Sequence, residues 1–202
     1  MPDFAYEKAL LESGMKVVCG VDEAGRGPLS GPVVAAACVL PIDVEIPALN
    51  DSKKLTPKKR DLLFDVIREV AVDFAIGQAT PEEIDRLNIL NATMLAMRRA
   101  IAGLKTPPDY ALVDGNCIRD FPVPASAIVK GDSLSASIAA ASILAKVTRD
   151  RLCLADHSAY PQYGFDKHKG YGTAEHIAAL KQYGPTPIHR KTFLKFLSEE
   201  DA

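Results

Sequence analysis

Three apolar stretches of this chain end on carboxylates, and that pattern limits the folds open to it. "VVCGVDE" closes on Asp22 and Glu23, "YALVD" on Asp114, and "AIVKGD" on Asp132. Short Val-rich runs of this kind read as strands, and segments of helical spacing lie between them. In an α/β fold, strand ends gather at one rim, where sites are usually built. If the first and fourth strands are parallel neighbours, Asp22 and Asp114 meet. Asp132, at the head of the next helix, then leans over the same spot.

The remaining pattern predicts a helix over 4–13, a strand over 16–22 and a second over 32–40. A short glycine-rich turn makes these two strands antiparallel. Thr56-Pro57 starts a helix with a hydroxyl cap and a proline in the first turn; its apolar stripe is Leu62, Leu63, Val66, Ile67 and Val70. A strand over 72–79 leads to a second cap-and-proline signal at Thr80-Pro81, then a longer helix over 88–104. Strands follow over 111–114 and 125–129, with a long helix from Asp132 to about Leu154. The stretch "YPQYGFDKHKGYGT" reads as a loop, followed by helices over 173–182 and near 192–198. One α/β domain over 1–202 accounts for this, with about 156–202 as a helical C-terminal appendage.

A net charge of −2 argues against a simple polycation binder. The charge is uneven, however: residues 130–195 hold ten Lys or Arg against five Asp or Glu. Such a segment can form a one-sided footprint for a polyanion. Lys53, Lys54, Lys146, Arg149, His168, Lys169 and Arg190 are candidate contacts to a nucleic-acid backbone. The four cysteines are scattered without a CxxC pair, the usage of reduced core thiols in a cytoplasmic protein. No apolar run approaches the roughly 18–20 residues of a membrane span.

Four neighbouring carboxylates repel: two unit charges 4 Å apart cost about 4 kcal/mol at an effective dielectric near 20. Arg26 alone is one charge against four. Oxygen-only donors suit hard cations such as Mg²⁺ or Mn²⁺, and carboxylates holding two such ions are an apparatus of phosphodiester cleavage. Taken singly, Asp114 also reads as a turn residue and Asp132 as a helix cap. Other chemistries find little support. "GRGPLSG" spaces its glycines as GxGxxxG and runs into a strand, against the dinucleotide-loop context. GxxxxGK[ST], GxSxG and HExxH are absent. A DNA nuclease or nucleotidyl transferase with an acid cluster, and a non-catalytic hybrid-binding module, stay open as alternatives.

Taken together, "GVDEAGRGPLSGPVVAAA", "LNDSKKLTPKKRDLL", "NILNATMLAM", "VDGN", "VKGDSLSASIAAASILAKVTRD", "YGFDKHKGYGT" and "GPTPIHRKTF" resemble, in order, the segments of bacterial ribonuclease HII, a type 2 ribonuclease H. The sister type, ribonuclease HIII, carries an N-terminal substrate-binding extension, for which the residues before Asp22 leave no room. The resemblance implies an RNase H-like fold, a mixed five-stranded sheet flanked by helices with a helical C-terminal end. It implies hydrolysis of RNA in RNA–DNA hybrids and cutting 5′ to single ribonucleotides embedded in duplex DNA, leaving 3′-hydroxyl and 5′-phosphate ends. Asp22, Glu23, Asp114 and Asp132 are then the metal-binding acids. Gly25-Arg26-Gly27 senses the junction, and Tyr171 stacks on the sugar after the ribonucleotide. Thr192 departs from the serine of many relatives but keeps the hydroxyl.

Reading a 2′-hydroxyl at close range needs backbone with no side chain in the way, which glycines at 25 and 27 permit. Ser133 and Ser137, at the expected start of the long helix, offer hydroxyls and free N–H groups to a phosphate. The tail lacks the leading glutamine of a sliding-clamp peptide, so no such partner is expected; the oligomeric state stays open, with a monomer and no obligate protein partner as the default expectation.

Overall fold

The computed structural model describes residues 1–50, 52 and 55–199, and the calls on Lys53 and Lys54 lie outside the described residues. Five strands form one sheet: β1 (Val18–Ala24), β2 (Val33–Val39), β3 (Asp73–Ala79), β4 (Tyr110–Asp114) and β5 (Ala125–Ile128). Their spatial order is β3-β2-β1-β4-β5. β2 is antiparallel to β1, as their short connection requires, and also to β3. β4 is parallel to both β1 and β5. The sheet is therefore mixed, as expected.

Helices cover both faces. α4 (Ile89–Ala102) packs Ala96, Met97 and Ala100 against Val21, Ala35 and Ala37. α5 (Ala136–Ala159) and α2 (Pro57–Val70) cover the other face, where Ala139, Ala140 and Ile143 meet Ala36 and Cys38. The alanine run lets α5 lie close to the sheet. A Cβ built on Gly20 would stand 2.1 Å from the carbonyl carbon of Ser137, and one on Gly77 would stand 2.2 Å from the carbonyl oxygen of Ala96. Glycine in β1 and β3 is thus what admits α5 and α4. Cys19, Cys38 and Cys153 are buried thiols; burial pushes Cys19 up to about 12.

The two cap-and-proline signals hold. Thr56 caps α2, and Thr80 caps α3 (Pro81–Leu87) in a reciprocal box with Glu83. The stripe of α2 is rotated from expectation: Leu63, Phe64 and Ile67 are buried while Leu62 is exposed. Phe64 joins the apolar cluster beneath α2, and Arg151 of α5 lies 4.3 Å over its ring. Glu83 also pairs both carboxylate oxygens with Arg99 at 2.7 Å. That guanidinium and the amide of Thr80 hold its carboxyl down at about 2. Glu83→Gln keeps an acceptor for Thr80 and loses the ion pair, so a cost of about 0.5–1 kcal/mol at pH 7 is expected. Because the folded pKa is depressed, the parent's advantage should vanish as pH falls from about 4.5 toward 2. Melts of both proteins across that window check it.

The start of the long helix is a correction. α5 begins at Ala136, not at Asp132, which lies in a 3₁₀ turn over Gly131–Ser133. Ser135 is the cap, accepting from the Ile138 amide at 3.2 Å. The helix N-terminus is filled from within the chain: Glu7 of α1 (Ala5–Glu12) accepts from Ser135 Oγ at 2.6 Å, Ser137 N at 3.0 Å and Ser137 Oγ at 2.5 Å. A carboxylate is what the helix dipole favours there. Ser137 is buried, so the expected phosphate contact through it is withdrawn.

The stretch expected as a loop after α5 holds a 3₁₀ turn over Pro161–Tyr163 and a short helix α6 (Phe165–His168), before α7 (Ala174–Tyr183) and α8 (Phe196–Glu199). Tyr163, Phe165, Leu180 and Leu194 form a separate apolar cluster. It is tied to the β1–β2 connection by Leu29 N to Gly170 O at 2.8 Å and Arg190 N to Leu29 O at 2.8 Å. Among the described residues, no helix is long and apolar enough to cross a membrane.

Candidate active site

Strand parity places the acids. Val18 and Leu112 pack with Ile138 of α5, and Gly20 lies against the α5 backbone. Two residues on, Asp22 and Asp114 therefore share that face. The β1–β4 register, Val21 opposite Val113, sets them side by side at the strand ends. Asp132 completes the approach: its amide lies 3.4 Å from Asp114 Oδ1, and its side chain is buried.

Asp22 is 4% exposed. Burial, then the charges of Glu23 and Asp114, hold its carboxyl well above the usual range, against hydrogen bonds from Ser142 and the Glu23 amide. Arg26 lies 3.5 Å from Glu23 and is half exposed, so it offsets only part of this repulsion. Among the described residues, no three His, Cys, Asp or Glu side chains stand close enough to hold an ion as placed. The donor chemistry fits a hard cation all the same: the set is oxygen-only, and Asp22 is buried beside two like charges.

The Gly25-Arg26-Gly27 turn is built from beneath by two buried arginines. Arg190 donates to the carbonyls of Gly25 at 2.6 Å, Arg26 at 2.9 Å and Gly31 at 2.9 Å. Arg149 donates to those of Ser30, Pro32 and Lys169 at 3.1–3.4 Å. Gly25 has φ +96°, and a Cβ there would meet Arg149 Nε at 2.0 Å. Both arginines are nearly inaccessible, at 1% and 0% exposure. Burial, followed by the charge of Arg149, pushes Arg190 down to about 9. The expectation that Arg149 and Arg190 touch a duplex is therefore corrected. They instead hold backbone carbonyls of the β1–β2 connection and of Lys169.

His168 is corrected likewise, since both ring nitrogens are spent on the backbone of Tyr163 and Gly170. Lys169 turns its ammonium back onto the Asp166 carbonyl. Lys146 stays at the site, paired with Asp150 at 2.7 Å. Ser133 is half buried in the 3₁₀ turn, its hydroxyl 3.5 Å from Asp132 Oδ1.

Tyr171 is 48% exposed, with its ring edge against Gly27. The two help line a cleft of about 600 Å³, together with Ser52, Ser142 and Lys146. Sequence reading missed two of its residues. Arg60 donates to the carbonyls of Ser52 at 2.8 Å and Leu55 at 2.6 Å, pinning the loop before α2. Ser142 bonds Ser52 at 2.9 Å and lowers the pKa of Asp22. Neither carried a local signal: Arg60 reads as helix surface and Ser142 as part of a small-residue packing run.

The chain matches the family model for ribonuclease HII over residues 19–196. It is 57% identical over 190 residues to a ribonuclease HII of Caldanaerobacter subterraneus subsp. tengcongensis, covering 94% of this chain and 79% of that one. Against a ribonuclease HII of Paracidovorax citrulli it is 62% identical over 177 residues, 88% and 74% of the two chains. Among solved structures, the ribonuclease H2 from Pyrococcus horikoshii superposes with a TM-score of 0.72 at 31% identity, covering 88% of this chain and 93% of that one.

Proposed function

Because the chain belongs to the ribonuclease HII family, we propose that this endoribonuclease hydrolyses the RNA strand of RNA–DNA hybrids and also cuts 5′ to single ribonucleotides embedded in duplex DNA. The observation that carries the reading is the parallel β1–β4 register, which sets Asp22 beside Asp114 under α5, with the Asp132 amide on Asp114. Asp22, Glu23, Asp114 and Asp132 are the residues that would hold Mg²⁺ or Mn²⁺. When bound, two such ions would activate the attacking water and take up charge developing on the phosphate.

The chain's own groups supply recognition. The 2′-hydroxyl both donates and accepts, and the Gly25–Gly27 backbone offers it an approach free of side chains. The two buried arginines hold that backbone rigid, so its groups need no reordering on binding. The half-exposed ring of Tyr171 offers a flat apolar face to a deoxyribose one step downstream, where a ribose hydroxyl would fit worse. Lys146 lies where a backbone phosphate could displace Asp150.

The test is cleavage of a duplex carrying one ribonucleotide, with chelator and with Mg²⁺ or Mn²⁺, mapped to the nucleotide. A cut 5′ to the ribonucleotide that needs the ion, with an all-DNA duplex left intact, is expected. Cleavage of all-DNA duplex at a similar rate would retract the reading. Tyr171→Ala should slow embedded-ribonucleotide cleavage by one to two orders of magnitude, since aromatic stacking is worth about 1–3 kcal/mol. Its melting temperature should be unchanged, because the ring is half exposed. An unchanged rate removes the stacking role.

A further inference from the structure

Three histidines outside the acid cluster converge beneath Tyr171. His176 and His189 are 0% and 2% exposed. His168 stacks on His176, with centroids 4.6 Å apart and planes 13° apart. Backbone groups have fixed roles as donors or acceptors, so the proton on each ring can be placed from its partners. The Thr186 amide points at His189 Nδ1 from 3.0 Å, so that nitrogen accepts and the proton sits on Nε2. His189 Nε2 lies 3.0 Å from His176 Nε2, which must then accept. His176 therefore carries its proton on Nδ1, and it donates to the Tyr171 carbonyl at 3.0 Å. On His168, Nδ1 accepts from the Gly170 amide at 3.1 Å, and Nε2 donates to the Tyr163 carbonyl at 2.7 Å.

The chain Thr186 → His189 → His176 → Tyr171 thus runs in one direction only, with one proton per contact. A second proton on either buried ring would set two N–H groups against each other. Burial, reinforced by the neighbouring imidazoles, depresses both: His176 below its ordinary value, and His189 to about 4. The far end of the chain is the backbone of Tyr171, whose ring is half exposed. Tyr171 follows two residues in left-handed conformation, Lys169 at φ 53° and Gly170 at φ 82°. The aim of a half-exposed ring on such a turn depends on where its main chain is held.

We infer that His176 and His189 are positioning residues for Tyr171, setting the height of its carbonyl and so the face that its ring presents beside Gly27. The inference rests on the reading of Tyr171 as a stacking platform. The experiment compares His176→Leu, His176→Asn, Tyr171→Ala and the double variant His176→Leu/Tyr171→Ala on an embedded ribonucleotide, with imidazole nitrogen shifts of the parent read by NMR. His176→Leu should lower kcat/KM roughly tenfold, the scale of one lost buried hydrogen bond. His176→Asn, which keeps an N–H near the Nδ1 position, should recover most of that. In the Tyr171→Ala background the loss should disappear. The parent should show His176 protonated on Nδ1 and His189 on Nε2 at pH 7. Additive losses, or a His176 protonated on Nε2, overturn the relay. If Tyr171→Ala alone leaves the rate unchanged, the platform reading falls and the relay loses its purpose. If Tyr171→Ala is impaired while His176→Leu is not, only the relay falls.

Discussion

Asp22→Asn should lower kcat by on the order of 10³-fold or more, while the fold survives and gains stability when no divalent ion is present. The activity loss follows from the several kcal/mol that a metal site contributes to charge neutralisation, at tenfold per 1.36 kcal/mol. The stability gain follows from the electrostatics. Asparagine has nearly the same shape and still accepts from the Glu23 amide, which lies 2.7 Å from Oδ1. It no longer repels Glu23 and Asp114, the two charges that, after burial, raise the carboxyl of Asp22. A carboxyl whose folded pKa is raised binds its proton more tightly when native, so the parent loses stability as pH climbs above about 4. The variant's advantage in Tm should be absent near pH 4 and should widen toward neutrality. Added Mg²⁺ should close the gap by stabilising the parent more than the variant. Full activity in Asp22→Asn, or a parent Tm indifferent to Mg²⁺ or Mn²⁺, would remove the central role given to this residue.

Gly20→Ala should cost about 3 kcal/mol and lower Tm by roughly 10 °C. The added methyl would stand 2.1 Å from the Ser137 carbonyl carbon and 2.2 Å from the Ile138 amide nitrogen. Both are backbone atoms, so no side chain can swing aside, and α5 itself must lift from the sheet. The lift also acts on the candidate site, because the turn carrying Asp132 leads directly into α5. Activity should therefore fall even at temperatures where the variant is fully folded by circular dichroism. A Tm within about 2 °C of the parent, with normal cleavage, would show that the helix has room to spare.

Much of this architecture was legible because local chemistry and tertiary structure agree. Thr56-Pro57 and Thr80-Pro81 start helices where their cap chemistry says, and apolar runs that end in acids became β1 and β4. Most of the misses share one cause: a group's partner lay far away in sequence. Nothing near Ser137 foretells that Glu7, on a different helix, will fill the first turn of α5. Arg149 and Arg190 read as surface charges because arginine is seldom buried. Six carbonyls, five on the β1–β2 connection and one at Lys169, make an exception that only the folded chain reveals. Ser142 escaped for the same reason, its partner Ser52 lying 90 residues away, whereas Arg60 bonds carbonyls only eight and five residues back and reads simply as helix surface.

The parallel pairing of β1 with β4 has a consequence in time as well as in space. Val18 pairs with Tyr110, roughly ninety residues later, and everything between must be made before that ladder can zip. Contacts of such high sequence separation form late, after helices and hairpins. A chain still emerging from the ribosome, crowded by messenger and ribosomal RNA, therefore carries its first pair of acids with no counterpart for them. The candidate site can assemble only once residues 114 and 132, past the middle of the chain, have been made.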